Sequence, residues 1–180
     1  MRNISKEYFK LQKKLHDSEN YGVASISHAP YVKKFFELGK LTSISDYGAG
    51  KKNLQKELIK LGLSNFSYYP YDPVFPEYGT PQKADFVCCI DVLEHVEEIY
   101  ITSVLEDLKK IIVKFGYISI STGPAQKTLE DGRNAHLVQR PKSWWVPLIC
   151  EKLDIEYLKN IKTKKDEKSF VLIVKAKNLY

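Results

Sequence analysis

Cysteine is scarce in this chain and follows no pattern. Of 180 residues only three are cysteine: Cys88 and Cys89 side by side in an apolar run, and Cys150 alone. There is no Cys-x-x-Cys pair, so neither a disulfide framework nor a thiolate metal site is indicated, and no metal is expected. No apolar run approaches the roughly 20 residues of a membrane span, and the N-terminus lacks the apolar centre of a signal peptide. No membrane role is therefore expected, and a cytoplasmic location is. Internal repeats and low-complexity tracts are also missing, which sets aside solenoids and linkers.

Charge of both signs is plentiful: 28 Lys and Arg against 22 Asp and Glu, a net +6. The lysines run from Lys6 to Lys177, with one late cluster at Lys162, Lys164, Lys165 and Lys168. Spread in this way they read as solvated faces rather than a nucleic-acid stripe. With 43% hydrophobic residues the chain has enough apolar material for one sizeable core. Residues 1–180 are expected to form a single domain, with a helical cap over 1–40 and an α/β core over 41–180.

The cap shows an amphipathic pattern at Tyr8, Phe9, Leu11 and Leu15, then the break Tyr21-Gly22. A second helix is predicted from Pro30 to Leu38, stopped by Gly39. Strands are predicted at 42–46, 66–71, 84–90, 117–121, 155–158 and 170–174. Helices are predicted at 51–61, with Leu54, Leu58 and Leu61 on one face, then at about 101–112 ahead of Gly116, and at 144–153 with Pro147 in the first turn. Apolar strands alternating with helices argue for a doubly wound, mostly parallel, Rossmann-like sheet. The last two strands are joined by a short lysine-rich turn, too short for a crossover helix, so the last strand should be antiparallel.

In such a sheet ligands bind at the carboxyl ends of the strands, and the distinctive polar residues fall there. Asp46-Tyr47-Gly48-Ala49-Gly50 ends the first strand, Asp72-Pro73 the second and Asp91-Val92 the next, with Ser121-Thr122-Gly123 after 117–121. A glycine turn before a helix allows close backbone approach to a ligand. Asp72, roughly twenty residues further on, is placed to accept from the two hydroxyls of a ribose. The dinucleotide fingerprint would need glycine where Asn53 stands, and the acid Asp46 opposes a pyrophosphate, so a cofactor without phosphate fits better.

Asp46-x-Gly48-x-Gly50, Asp72, Ala84-Asp85-Phe86-Val87 and Asp91-Val92-Leu93-Glu94-His95-Val96 together resemble class I S-adenosylmethionine-dependent methyltransferases. The chain is similar in particular to small bacterial and phage members of that superfamily. They share Tyr21-Gly22, the DYGxGK turn, Tyr71-Asp72-Pro73, DVLEH and a DGRNAHL segment (Asp131 to Leu137) followed by Trp144-Trp145. The resemblance implies S-adenosylmethionine held by Asp46, Gly48, Ala49, Gly50, Asp72, Pro73, Asp91 and Val92, with Tyr21, Gly22 and His16 closing over it. Two departures stand out. Lys52 occupies the third glycine position, and too few residues separate Asp72 from Asp85 for the usual helix and a full third strand. The acid that would follow that strand is missing, which leaves adenine to apolar contacts around Pro73, Val74 and Ile90.

Where such enzymes form the acceptor site, Arg133 is a candidate clamp for an anionic group and His136 a candidate base. Asn134, Thr122, Trp144 and His95 are candidate acceptor contacts, with packing roles as the alternative for Trp144 and His95. The (D/N/S)PP(Y/F/W) motif of amino-methylating DNA enzymes is missing after 84–90, and no Pro-Cys nucleophile exists. Both absences argue against methylation of bases in duplex DNA. The reading is in-line methyl transfer to a small, anionic acceptor such as a nucleotide, sugar or glycan precursor. The alternative is a non-catalytic cofactor-binding subunit of a larger modification complex.

Overall fold

The computed structural model describes residues 3–18, 21–162 and 168–177. Two helices come first, α1 (Lys6–His16) and α2 (Ala24–Leu38), followed by β1 (Ser43–Tyr47), α3 (Asn53–Lys60) and β2 (Ser67–Tyr71). Then come β3 (Ala84–Ile90), α4 (Ile101–Ile111), β4 (Ile112–Ser121), α5 (Lys142–Cys150), β5 (Leu153–Lys162) and β6 (Lys168–Ala176). The six strands form one sheet in the order β2-β1-β3-β4-β6-β5. Pairs β1/β2, β1/β3 and β3/β4 are parallel, and β6 runs antiparallel to both β4 and β5. The lysine-rich turn falls at 163–167, outside the described residues.

Alternation along the strands builds two cores, one on each face of the sheet. Ile44, Phe86, Cys88, Tyr117, Val171 and Ile173 face α2 and α3. Val87, Cys89, Ile118, Ile120, Leu172 and Val174 face α4 and α5. Neighbouring strand residues point to opposite faces, so the adjacent thiols of Cys88 and Cys89 are buried on opposite sides, both pushed well above the usual cysteine range by burial. A smaller cluster of Ile4, Tyr8, Val74 and Leu129 seats α1 over the strand ends. Ser5 caps that helix, its hydroxyl accepting from the Tyr8 N–H at 3.1 Å.

Several boundaries differ from the sequence expectation, each for a physical reason. Helix α2 starts at Ala24 rather than Pro30, which lies inside it. Burial of Ala29, Val32 and Phe36 outweighs the one backbone bond that proline removes. Leu54 and Leu58 are fully buried, but Leu61 is the C-cap of α3 and half-exposed; Leu63, beyond the turn, takes the core position. Gly116 does not end a helix. Helix α4 passes straight into β4 at Ile112, and Gly116 lies within that strand, where a Cβ would sit 2.8 Å from Val174 Cγ2. Helix α5 begins at Lys142 and Pro147 is interior to it. Between β2 and β3 there is only a 3₁₀ turn, Pro76–Tyr78, so β2 is an edge strand. Among the described residues no helix is long and apolar enough to cross a membrane.

Candidate functional site

The end of β1 is fastened to the end of β2. The Gly48 and Ala49 N–H groups both donate to the Tyr71 carbonyl, at 2.7 and 2.9 Å. Asp72 completes the knot: Oδ2 accepts from Gly50 N–H at 3.0 Å and Oδ1 from Val74 N–H at 2.9 Å. Gly48 has φ +84°, and a Cβ there would lie 2.3 Å from Val92 Cγ2. Only glycine meets both demands. Lys52, at the third glycine position, adopts φ +58°, a left-handed conformation that lysine tolerates at some cost. Its ammonium lies over the Tyr78 ring, 5.1 Å from the centroid. Helix α3 therefore starts only at Asn53.

Beside this turn lies a cavity of about 410 Å³, bounded by strand ends on one side and by α1 and the start of α2 on the other. Asp46, Gly48, Ala49, Gly50, Asp72 and Pro73 line it, as do Asp91, Val92, Tyr21 and Gly22. His95 and His136 do so too. Four other sequence candidates lie off the cavity wall. Arg133 is exposed and turned to Asp131, with Nε 2.7 Å from Oδ2. Asn134 spends its amide on the Ala125 backbone, donating at 2.9 Å and accepting at 2.8 Å, and its Oδ1 also accepts from His136 N–H. Trp144 packs edge-to-face on Trp145, 4.9 Å between centroids, against the α4–α5 core. Thr122 follows Ser121 out of β4 and is not part of the lining.

Charge at the cavity floor is unusual. Asp46 is buried and accepts from the Tyr68 hydroxyl; burial pushes its carboxyl up to about 7. Asp72 is raised to about 6, again chiefly by burial, against the pull of its two N–H donors. Among the described residues neither carboxylate has a salt bridge to a lysine, arginine or histidine. Between the ordinary carboxylate range and these values the folded chain holds protons that the unfolded chain releases. Their contribution to stability is present at low pH and lost as pH rises through about 6 to 7. The ligand-free protein should therefore melt at a lower temperature at pH 8 than at pH 5.5. Asp46→Asn, which keeps an acceptor for Tyr68, should raise stability at pH 8 by about 2 kcal/mol and flatten the pH profile of thermal unfolding.

Helix α1 contributes His16, which the resemblance places with Tyr21 and Gly22, and two residues that the sequence reading did not assign to a site, Tyr8 and Gln12. Tyr8, Gln12 and His16 are spaced four apart and line the cavity as a polar stripe. The Tyr8 hydroxyl donates to the His95 carbonyl at 2.7 Å, and the Tyr21 hydroxyl to Gln12 Oε1 at 3.0 Å. His16 stands over the glycine turn, its Cε1 3.2 Å from where a Gly50 Cβ would lie, and its Nδ1 is buried without a hydrogen-bond partner among the described residues. Burial, with Lys51 adding, lowers His16 to about 4. The four-residue polar repeat was the available signal, masked by the apolar pattern around it.

His95 is partly buried in the cavity wall and neutral. Its Nδ1–H donates to the Ala135 carbonyl at 2.8 Å, and burial lowers it to about 3. Its ring meets His136 edge-to-face at 4.7 Å, and His136 Nδ1–H donates to the Gly123 carbonyl at 2.6 Å. Glu94 fastens the same loop: Oε1 accepts from Ser121 N–H at 2.7 Å and its backbone carbonyl from Val138 N–H at 3.0 Å.

No protein-family model matches the sequence, and no curated protein does. Solved structures do. The PH0226 protein of Pyrococcus horikoshii OT3 is 14% identical with a TM-score of 0.63, over 97% of this chain and 100% of that one. The N-methyltransferase NodS of Bradyrhizobium japonicum WM9, in complex with S-adenosylhomocysteine, is 10% identical with a TM-score of 0.63, over 95% and 99%. The 1,6-didemethyltoxoflavin-N1-methyltransferase of Burkholderia thailandensis, with bound 1,6-didemethyltoxoflavin and S-adenosylhomocysteine, is 12% identical with a TM-score of 0.67, over 96% and 90%. The fold is that of class I S-adenosylmethionine-dependent methyltransferases. Within this methyltransferase fold, the glycine turn, Asp72 and Asp91 occupy the strand ends that border the cavity.

Proposed function

We propose that the protein is an S-adenosylmethionine-dependent methyltransferase acting on a small molecule. The observation that carries this reading is the pair of buried, unneutralised carboxylates, Asp46 and Asp72, on either side of a glycine turn that no side chain can fill. Such a pair favours a ligand with positive charge and hydroxyl donors and disfavours a pyrophosphate. S-adenosylmethionine meets both conditions and, when bound, supplies a methyl group on a cationic sulfonium. Asp72 would accept from the ribose hydroxyls with the lone pairs its N–H donors leave. Asp46 would face the positive end, and Val74 and Ile90 would pack against the adenine.

The chain's own task is then positioning and exclusion of water. Helix α1 and the Tyr21-Gly22 segment roof the cavity, with His95 and His136 as one of its walls. An anionic group on the acceptor would meet Lys127, which lines the cavity, in place of Arg133, which is paired with Asp131. The small-molecule assignment is tested with methyl-labelled S-adenosylmethionine and a fractionated cell extract. Label is expected in the acid-soluble fraction; label confined to nucleic acid or protein would overturn the assignment. Cofactor affinity should also fall as pH drops through about 7 to 6, because protonating Asp46 and Asp72 removes the charge that holds the cation. Titrations of S-adenosylmethionine at pH 8 and pH 5.5 check this, with weaker binding expected at the lower pH.

A further inference from the structure

The cavity crosses the crest of the sheet. His95 and His136 belong to the side of α4 and α5, whereas a second arm descends on the side of α2. Ser25, Ser27 and His28 of α2, Ile161 of β5 and Ser169 of β6 line the cavity on that side, and Asp91, close enough to act on His28 electrostatically, lines it beside them. None of these α2 and hairpin residues has a part in holding the cofactor. We infer that the acceptor's reacting atom is received in this arm, between Asp91 and His28, and that His28 takes its proton.

Three observations converge on this pair. His28 is fixed by its Nδ1 against the Tyr117 hydroxyl at 2.8 Å, and Tyr117 is itself buried in the sheet face beneath α2. In the tautomer with the proton on Nδ1, Nε2 keeps a free lone pair. Asp91 is held at φ +51°, a strained backbone for an aspartate, by Ser119: its N–H donates to the Ser119 carbonyl and hydroxyl at 3.1 and 3.0 Å, and the Ser119 hydroxyl donates back to Oδ1 at 2.6 Å. Backbone strain held in place at a residue of the cavity wall points to a functional position. Lastly, burial lowers His28, which keeps the imidazole neutral and ready to accept a proton, while the nearby Asp91 charge pulls the other way.

The chemistry that fits is a hydroxyl or amine acceptor, with the arm's serines as further hydrogen-bond partners. The acceptor's O–H or N–H bond breaks as its oxygen or nitrogen bonds to the methyl carbon. The methyl–sulfur bonding pair stays on sulfur, which leaves as a neutral thioether, and the proton passes to His28 Nε2. Asp91 carries the compensating charge. This inference rests on the methyltransferase reading.

The test needs no knowledge of the acceptor. In the full-length chain, His28→Cys and, separately, His136→Cys are incubated with an S-adenosylmethionine analogue carrying a but-2-ynyl group in place of methyl. Alkylation is then located by peptide mass spectrometry. The native Cys88, Cys89 and Cys150 serve as internal controls. The expected result is alkylation at position 28 at least tenfold faster than at position 136. Ser25→Cys, which leaves the His28–Tyr117 bond intact, probes the same arm should His28→Cys melt without cooperativity. Alkylation only at 136, or at none of these positions in folded protein, would overturn the inference. Calorimetry with S-adenosylhomocysteine on the same variants separates the two readings. Binding without alkylation in the arm removes only the acceptor arm, whereas no binding to the wild type removes the cofactor reading with it.

Discussion

Asp72→Ala is expected to weaken S-adenosylhomocysteine binding by about 100-fold or more while leaving a cooperative melt. The carboxylate is asked to do two things. It orders the glycine turn through Gly50 N–H and Val74 N–H, and it accepts from the ribose. Hydrogen bonds to a charged group contribute roughly 1.5–3 kcal/mol each, and about 2.7 kcal/mol corresponds to 100-fold in affinity. Loss of the two N–H acceptors costs stability, but removing a buried carboxylate raised to about 6 offsets part of that cost. The fold should therefore survive. Calorimetry beside thermal unfolding reads both quantities; affinity within threefold of wild type would remove the ribose assignment.

Gly48→Ala is the substitution with the largest expected effect on the fold. At φ +84° an L-residue costs about 1–2 kcal/mol, and the new methyl would meet Val92 Cγ2 at 2.3 Å, Cγ1 at 3.0 Å and Cβ at 3.3 Å. No rotation of Val92 clears all three atoms, so the turn or the Asp91–Val92 segment must move, which adds about 1–3 kcal/mol. A loss of roughly 3 kcal/mol in urea unfolding is expected, with cofactor binding abolished. Adding Val92→Ala should recover the packing part and leave the backbone part. An unchanged urea midpoint in the single variant would contradict the tight apposition of Gly48 and Val92.

Much of the sheet was legible because its signals are local. Six apolar runs gave six strands, and the short connection after Asp72 gave the missing strand outside β2. The residues of the glycine turn were legible for the same reason. What escaped depends on distant partners or on junctions without a loop. Ile112 is buried whether it ends α4 or starts β4, so periodicity could not separate them, and the strand was read only from Tyr117, after Gly116. Arg133 was read as an anion clamp, although Asp131, two residues earlier, captures it. His28 carries no local signal at all: its partner Tyr117 is 89 residues away. Lys52, out of place as a substitute for glycine, proves to hold the left-handed conformation a glycine there would supply.

The most direct test of the whole account is a pair of calorimetric titrations on the wild-type protein at pH 8, one with S-adenosylhomocysteine and one with NAD. Saturable binding of S-adenosylhomocysteine at one site, abolished by Asp72→Ala, with no heat from NAD, is the predicted result. Binding of NAD with none of S-adenosylhomocysteine would contradict it.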